Sequence, residues 1–157
     1  MTLQSGDTAP DFELTQTPGE DPVRLADLRR DGPVVVLFFP LAWSPVCTQE
    51  LCALKDQHEE YRKSLDATVV GISVDSPFAL KAWSEEQGFP FPLLSDFNRQ
   101  VSADYGSLYE DFYGMRGVSK RSAFVIDREG KVRHAEVLED ASQIPNLDAV
   151  RETLRDL

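Results

Sequence analysis

Six apolar residues, Val34-Val-Val-Leu-Phe-Phe39, run directly into Pro40, and Ser44-Pro45 follows four residues later. A short continuous apolar run with three β-branched residues predicts a strand buried on both faces. Pro40 ends it, because proline donates no hydrogen bond to a ladder. Ser44 then offers an N-cap, and Pro45 falls at the first helical position, where its missing N–H costs nothing. Cys47, Leu51, Leu54, His58, Tyr61 and Leu65 recur at steps of four and three, which is one helical face directed at a core. A buried strand therefore delivers the chain through a tight loop to a helix start, with Cys47 in its first turn.

The first turn of a helix carries backbone N–H groups without helical partners and the positive end of the macrodipole. Both favour thiolate over thiol, and the thiolate is the nucleophilic form. Two readings of Cys47 follow: a small apolar residue on the core stripe, or a nucleophile. Its company around one turn, Pro40, Ser44, Pro45 and Cys52, favours the second.

The segment Pro40-Leu-Ala-Trp-Ser44-Pro-Val-Cys47 resembles the active-site loop of the peroxiredoxins: Pro, three residues, Thr or Ser, two residues, Cys. Ser44 stands where that family more often has Thr. Cys52, with four residues between it and Cys47, resembles the bacterioferritin-comigratory-protein (PrxQ) branch, and the wording Phe-Phe-Pro-Leu-Ala-Trp43 resembles the AhpE branch. The likeness extends from Ala9-Pro10-Asp11-Phe12 to the strand after Arg121. It implies a thiol-dependent peroxidase acting on hydrogen peroxide and small organic hydroperoxides. Cys47 would be oxidised to sulfenic acid, Cys52 would resolve it within the chain, and a thioredoxin or similar dithiol would reduce the disulfide. No cofactor is implied.

The resemblance also assigns roles around Cys47. Attack on an O–O bond needs donors for the peroxide and a charge to stabilise the leaving oxygen. The first available amides after Pro45 are those of Val46 and Cys47. Ser44 takes the place of the residue that orients peroxide, although plain capping explains it equally well. Arg121, directly before the apolar run Ala123 to Ile126, takes the place of the family's arginine; Arg116, Lys120 and Arg128 are nearby cations that only the family register sets aside. Glu50 either pairs with that arginine or is an acid favoured by the helix start. Pro40 would shield the sulfur, and Trp43 and Trp83 are expected to build core and pocket wall.

Elsewhere the chain alternates strand and helix signals. Phe12–Thr15 and Val23–Leu25 read as a hairpin, Ala26–Arg30 as a helical turn, and residues 45 to 64 as one long helix. Thr68–Ser73 is the next buried strand, and Asp75-Ser-Pro77 opens a helix closed by Gly88. A short strand (Phe91–Leu94), a short helix (Arg99–Tyr105) and a loop (Ser107–Ser119) follow. Two strands, Ser122–Asp127 and Val132–Glu136, turn about Asp127-Arg-Glu-Gly130, and Asn146 caps a last helix with Leu147, Val150, Leu154 and Leu157 on one face. This is the pattern of an α/β domain. The order of elements is that of a thioredoxin-like fold with an N-terminal β-hairpin extension and a central mixed sheet flanked by helices, in one domain over residues 1–157.

Composition narrows the partners. Sixteen basic against twenty-seven acidic residues give a net charge of −11, which disfavours a nucleic-acid partner. No polybasic stretch or long apolar run points to a membrane. The first residues lack the regions of a signal peptide, so a cytoplasmic protein with reduced thiols is expected, and intramolecular resolution makes a monomer the simplest state. Two cysteines and two histidines have no spacing of a structural zinc motif, so no metal is expected. A disulfide oxidoreductase of the same fold would need Cys-x-x-Cys, which is absent. A redox-sensing binding or holdase protein, with the cysteine pair as a switch, is the remaining alternative.

Overall fold

A computed structural model describes residues 3–157. The apolar run forms β3 (Val34–Phe38), and every one of its residues is buried. It lies at the centre of a five-stranded sheet, pairing in parallel with β4 (Thr68–Ser73) and antiparallel with β8 (Ser122–Ile126). Outside them lie β5 (Leu93–Ser95) and β9 (Val132–Val137), so the order is β5-β4-β3-β8-β9. The mixed sheet is as expected.

Alternation along β3 explains why both faces are apolar. Val35 and Leu37, with Phe39 just beyond, pack into one core with Leu51 and Leu54 of α2 (Pro45–Glu59), Trp83 of α3 (Pro77–Gln87) and Val150 and Leu154 of α5 (Leu147–Arg155). Val34, Val36 and Phe38 face the other way. They meet Leu14 of β1 (Glu13–Leu14), Leu25 of α1 (Leu25–Leu28), and Val101 and Tyr105 at α4 (Gln100–Asp104). The N-terminal hairpin, β1 paired antiparallel with β2 (Val23–Arg24), thus helps to cover a sheet face. Each fully buried Val, Leu or Phe contributes about 1.5–3 kcal/mol relative to exposure, which is why a polar residue anywhere in β3 would be costly.

Local punctuation places the helix ends. Ser76 accepts from the Ala79 amide at 3.2 Å with Pro77 next in line, and Gly88 ends α3 in the left-handed region at φ 67°. Asn146 caps α5 by accepting from the Ala149 amide at 3.0 Å.

Several expectations are corrected. The long helix reaches Ser64, but its last segment, Glu60–Ser64, is a π-helical turn. The strand expected at Phe91–Leu94 sits later, at Leu93–Ser95, because Pro92 has no N–H for the ladder. The loop Ser107–Ser119 closes on itself through β6 (Leu108–Tyr109) and β7 (Val118–Ser119), two-residue strands too short to show a period. His58, by contrast, is buried on the core-facing stripe as expected, with its ring beside Phe91, centroids 6.0 Å apart. Leu157 falls past the end of α5 and is exposed.

Candidate active site

The site forms where β3 hands the chain to α2. Pro45 occupies the first turn, and the Thr48 amide makes the first ladder bond, to the Ser44 carbonyl at 3.0 Å. The Val46 and Cys47 amides precede that ladder and are among the helix's orphan donors. Cys47 is fully buried on the core-facing stripe of α2, and both cysteines are free thiols.

Strand pairing brings Arg121 to this turn. Phe38 pairs with Ser122 in the β3–β8 register, so Arg121 lies one residue beyond the pair, alongside Phe39 and Pro40. Its side chain is 1% exposed, and all three guanidinium nitrogens are engaged. Nη2 donates to Cys47 Sγ at 3.2 Å, Nη1 to Glu50 Oε2 at 2.8 Å, and Nε to the Ala141 carbonyl at 3.0 Å. A planar fork that cannot lose its proton is suited to hold a thiolate and a carboxylate at once. Burial opposes the Arg121 charge, but Cys47 and Glu50 outweigh it and raise its pKa further. The other cations are elsewhere: Lys120 pairs with Glu139 at 2.6 Å, Arg128 reaches Asp66 at 3.5 Å, and Arg116 is exposed.

Glu50 is the pair partner the sequence left open, and it is completely buried. Its Oε1 has no hydrogen-bond partner. Burial therefore raises its pKa to about 7 even with Arg121 alongside, since one N–H donor does not offset the lost water. The consequence for stability has a definite sign. With a folded-state pKa above the ordinary 4.5, the native protein holds the Glu50 proton more tightly than the unfolded chain does. Glu50's contribution to stability then falls as pH rises from about 4.5 to about 7 and is level beyond, a change on the order of 1–3 kcal/mol. Glu50→Gln is expected to remove that fall. Urea unfolding of both proteins across this range checks it: parallel profiles would show that Glu50 does not titrate there.

Two expected neighbours behave differently. Ser44 stands at the N-cap position, but its hydroxyl donates to the Leu41 carbonyl at 3.0 Å and accepts no helical amide. Its lone pairs are thus not taken up in capping. Trp83 is buried in the core, as expected, whereas Trp43 is 52% exposed and forms no core wall. Its backbone lies in the left-handed region at φ 73°. For a non-glycine residue this conformation costs on the order of 1–3 kcal/mol, and it persists only where the surroundings impose it. Pro40 is buried at the end of the strand run. Cys52 is half-buried against the same core as Cys47, and its thiol is 3.8 Å from Gln87 Oε1 of α3. The Ala141 carbonyl that fixes Arg121 comes from a segment that carries no motif.

Residues 5–135 match the AhpC/TSA family. The chain is 39% identical over 137 residues to alkyl hydroperoxide reductase E of Mycobacterium tuberculosis, covering 86% of each chain. It is 35% identical over 164 residues to a chloroplastic 2-cysteine peroxiredoxin of Chattonella marina var. antiqua, covering 99% of this chain and 80% of that one. Among solved structures it superposes on the peroxidoxin BcpB of Mycobacterium tuberculosis with a TM-score of 0.87, 37% identity, and 99% and 98% of the two chains covered. With a buried thiol at a helix start facing an arginine, and with these relatives, the chain belongs to the AhpC/TSA family and is a peroxiredoxin, a thiol-dependent peroxidase.

Proposed function

We propose that Cys47 is the peroxidatic residue and Cys52 the resolving residue of a single-chain catalytic cycle. The observation that carries it is the 3.2 Å contact between Arg121 Nη2 and Cys47 Sγ at the start of α2. The Cys47 thiolate attacks one peroxide oxygen, forming an S–O bond as the O–O bond breaks. The other oxygen leaves as water or an alcohol after taking a proton, with Arg121 and the Val46 and Cys47 amides stabilising its charge. Ser44 offers its free lone pairs to the peroxide proton, and Pro40 covers the sulfur. The full burial of Cys47 favours hydrogen peroxide and small organic hydroperoxides over bulky ones.

Cys52 then displaces hydroxide from the Cys47 sulfenic acid, closing a disulfide with loss of water. An external dithiol of the thioredoxin kind reduces it by exchange. Both cysteines lie on one continuous helix in the reduced protein. Residues five apart on an α-helix have Cα atoms roughly 8.6 Å apart and turned by about 140°. A disulfide tolerates no more than about 7 Å and needs facing side chains. The first turns of α2 must therefore melt before the bond closes. Intramolecular closure requires no second chain, so the working unit is a monomer, and thiols that cycle through a dithiol suit a reducing, cytoplasmic compartment.

Mass analysis after one equivalent of peroxide tests the assignment. Wild type should lose two hydrogens as a 47–52 disulfide, Cys52→Ser should gain one oxygen at Cys47, and Cys47→Ser should remain unchanged. Oxidation of Cys52 first would reverse the roles. Hydrogen exchange tests the melting: residues 46 to 54 should exchange faster in the disulfide form. Equal protection, with the disulfide confirmed by mass, would rule out unwinding of this helix.

A further inference from the structure

Between the last β3 ladder bond and α2, the chain is held to the rest of the fold in an unexpected way. The Phe39 amide still donates to the Ile72 carbonyl at 3.0 Å. Beyond it, the Ser44 hydroxyl bonds Leu41 and the Thr48 hydroxyl bonds Ser44, both within the same turn. Among the hydrogen bonds of the described residues, only one ties residues 40–46 to another element: the Ala42 amide donates to Asp75 Oδ2 at 2.8 Å. Asp75 is itself clasped. Its Oδ2 also accepts from the Ser73 hydroxyl at 2.6 Å, its amide donates to Ser73 Oγ at 3.2 Å, and its carbonyl accepts from the Ser95 hydroxyl at 2.6 Å.

We propose that Asp75 is a positioning residue for peroxide attack: anchored by Ser73 and Ser95, its carboxylate fixes the Ala42 amide and thereby the turn that carries Pro40 and Ser44 ahead of Cys47. Ala42 is buried and its neighbour Trp43 holds the left-handed φ of 73°, so the anchor lies directly beside the strained residue. A left-handed tryptophan with an exposed side chain has little to hold it in place by packing. The Asp75 bond supplies that restraint. Release of Ala42 lets Trp43 relax toward an extended conformation, and Pro40 and Ser44 shift with it. Asp75 acts at a distance through the loop and touches no reacting atom.

The proposal rests on Cys47 as the attacking thiol, and the test separates the two. Cys47 oxidation by hydrogen peroxide is followed by rapid quench and mass analysis, alongside iodoacetamide alkylation of each cysteine and far-UV circular dichroism. Asp75→Ala is expected to oxidise about ten- to a hundredfold more slowly, the scale of a misplaced reacting geometry. Alkylation of Cys47 should rise relative to Cys52, because the loop no longer covers it. Asp75→Asn keeps an acceptor for the Ala42 amide and should restore oxidation to within about threefold of wild type, since a neutral acceptor weakens such a bond without abolishing it. Wild-type oxidation in Asp75→Ala overturns the proposal. So does a slow Asp75→Ala in which both thiols become equally more reactive, since that is general loosening. If Asp75→Ala does not fold, Ser73→Ala decides: wild-type oxidation there removes the clasp from the mechanism. No oxidation of Cys47 in the wild type would instead refute the reading of Cys47 beneath it.

Discussion

Cys47→Ser is expected to abolish peroxide consumption, with a loss of about 10⁴-fold or more, as for removal of a covalent nucleophile from a group that acts as a unit. The serine would keep the Arg121 donor at the same place, so the comparison isolates the sulfur. A hydroxyl in this position is not ionised at neutral pH and is a poor attacking group for an O–O bond. Cys52→Ser should differ in kind. It should consume one equivalent rapidly and then stall at the sulfenic acid when no small thiol is present. Before any peroxide is added, Cys47 should also be the thiol that reacts faster with a small alkylating agent at neutral pH, despite being more buried than Cys52. The measurements are peroxide disappearance with a dithiol reductant and site-resolved alkylation by mass. A Cys47→Ser protein that retains a tenth of wild-type turnover would place the chemistry elsewhere.

The parts of the molecule that were legible in the sequence are those whose causes are local. The apolar run of β3, the Pro45 helix start and the 4–3 stripe through Cys47, Leu51 and Leu54 each depend on residues within one turn or one strand. They appear in the structure where they were expected. Gly88 and Asn146 mark helix ends for the same reason. Arg121 was selected by family register, because nothing in its own neighbourhood distinguishes it from Lys120. What distinguishes it physically is the pairing of Phe38 with Ser122, a contact between strands far apart in the chain. Most of the features that were not legible share that origin, the local Ser44–Leu41 contact apart. Trp43 looked like a wall residue by composition, yet it is exposed, with the neighbouring Ala42 amide tied to Asp75 33 positions away. Ser44 has the residue type and place of a cap, but the Leu41 carbonyl receives its hydroxyl. For Glu50 the sequence offered both the Arg121 partner it proves to be and a plain helix-start acid, and only its total burial reveals the orphaned oxygen and the raised pKa.

Arg121→Ala should slow the first oxidation of Cys47 by on the order of a hundredfold, the cost of losing one aimed donor to a transition state. Three contacts end with that side chain, to Cys47, Glu50 and Ala141. Glu50 would then be a fully buried acid with no cation beside it, and its carboxyl would hold its proton to still higher pH. Some of the lost stability is recovered by that protonation, so the fold can survive while the reaction suffers. Arg121→Lys separates charge from geometry. A lysine keeps the positive charge but not the fork that reaches sulfur and carboxylate together, so it should recover only part of the rate. The loss should be confined to oxidation. In the proposed cycle, reduction of a preformed 47–52 disulfide by a dithiol would proceed with α2 unwound and Cys47 away from the guanidinium, and it should change by less than about threefold, as no aimed donor is lost from that step. Stopped-flow oxidation and reduction, measured separately, provide both numbers. An unchanged oxidation rate in Arg121→Ala would mean that another cation serves the peroxide, and Lys120, already committed to Glu139 at 2.6 Å, would be the first to substitute.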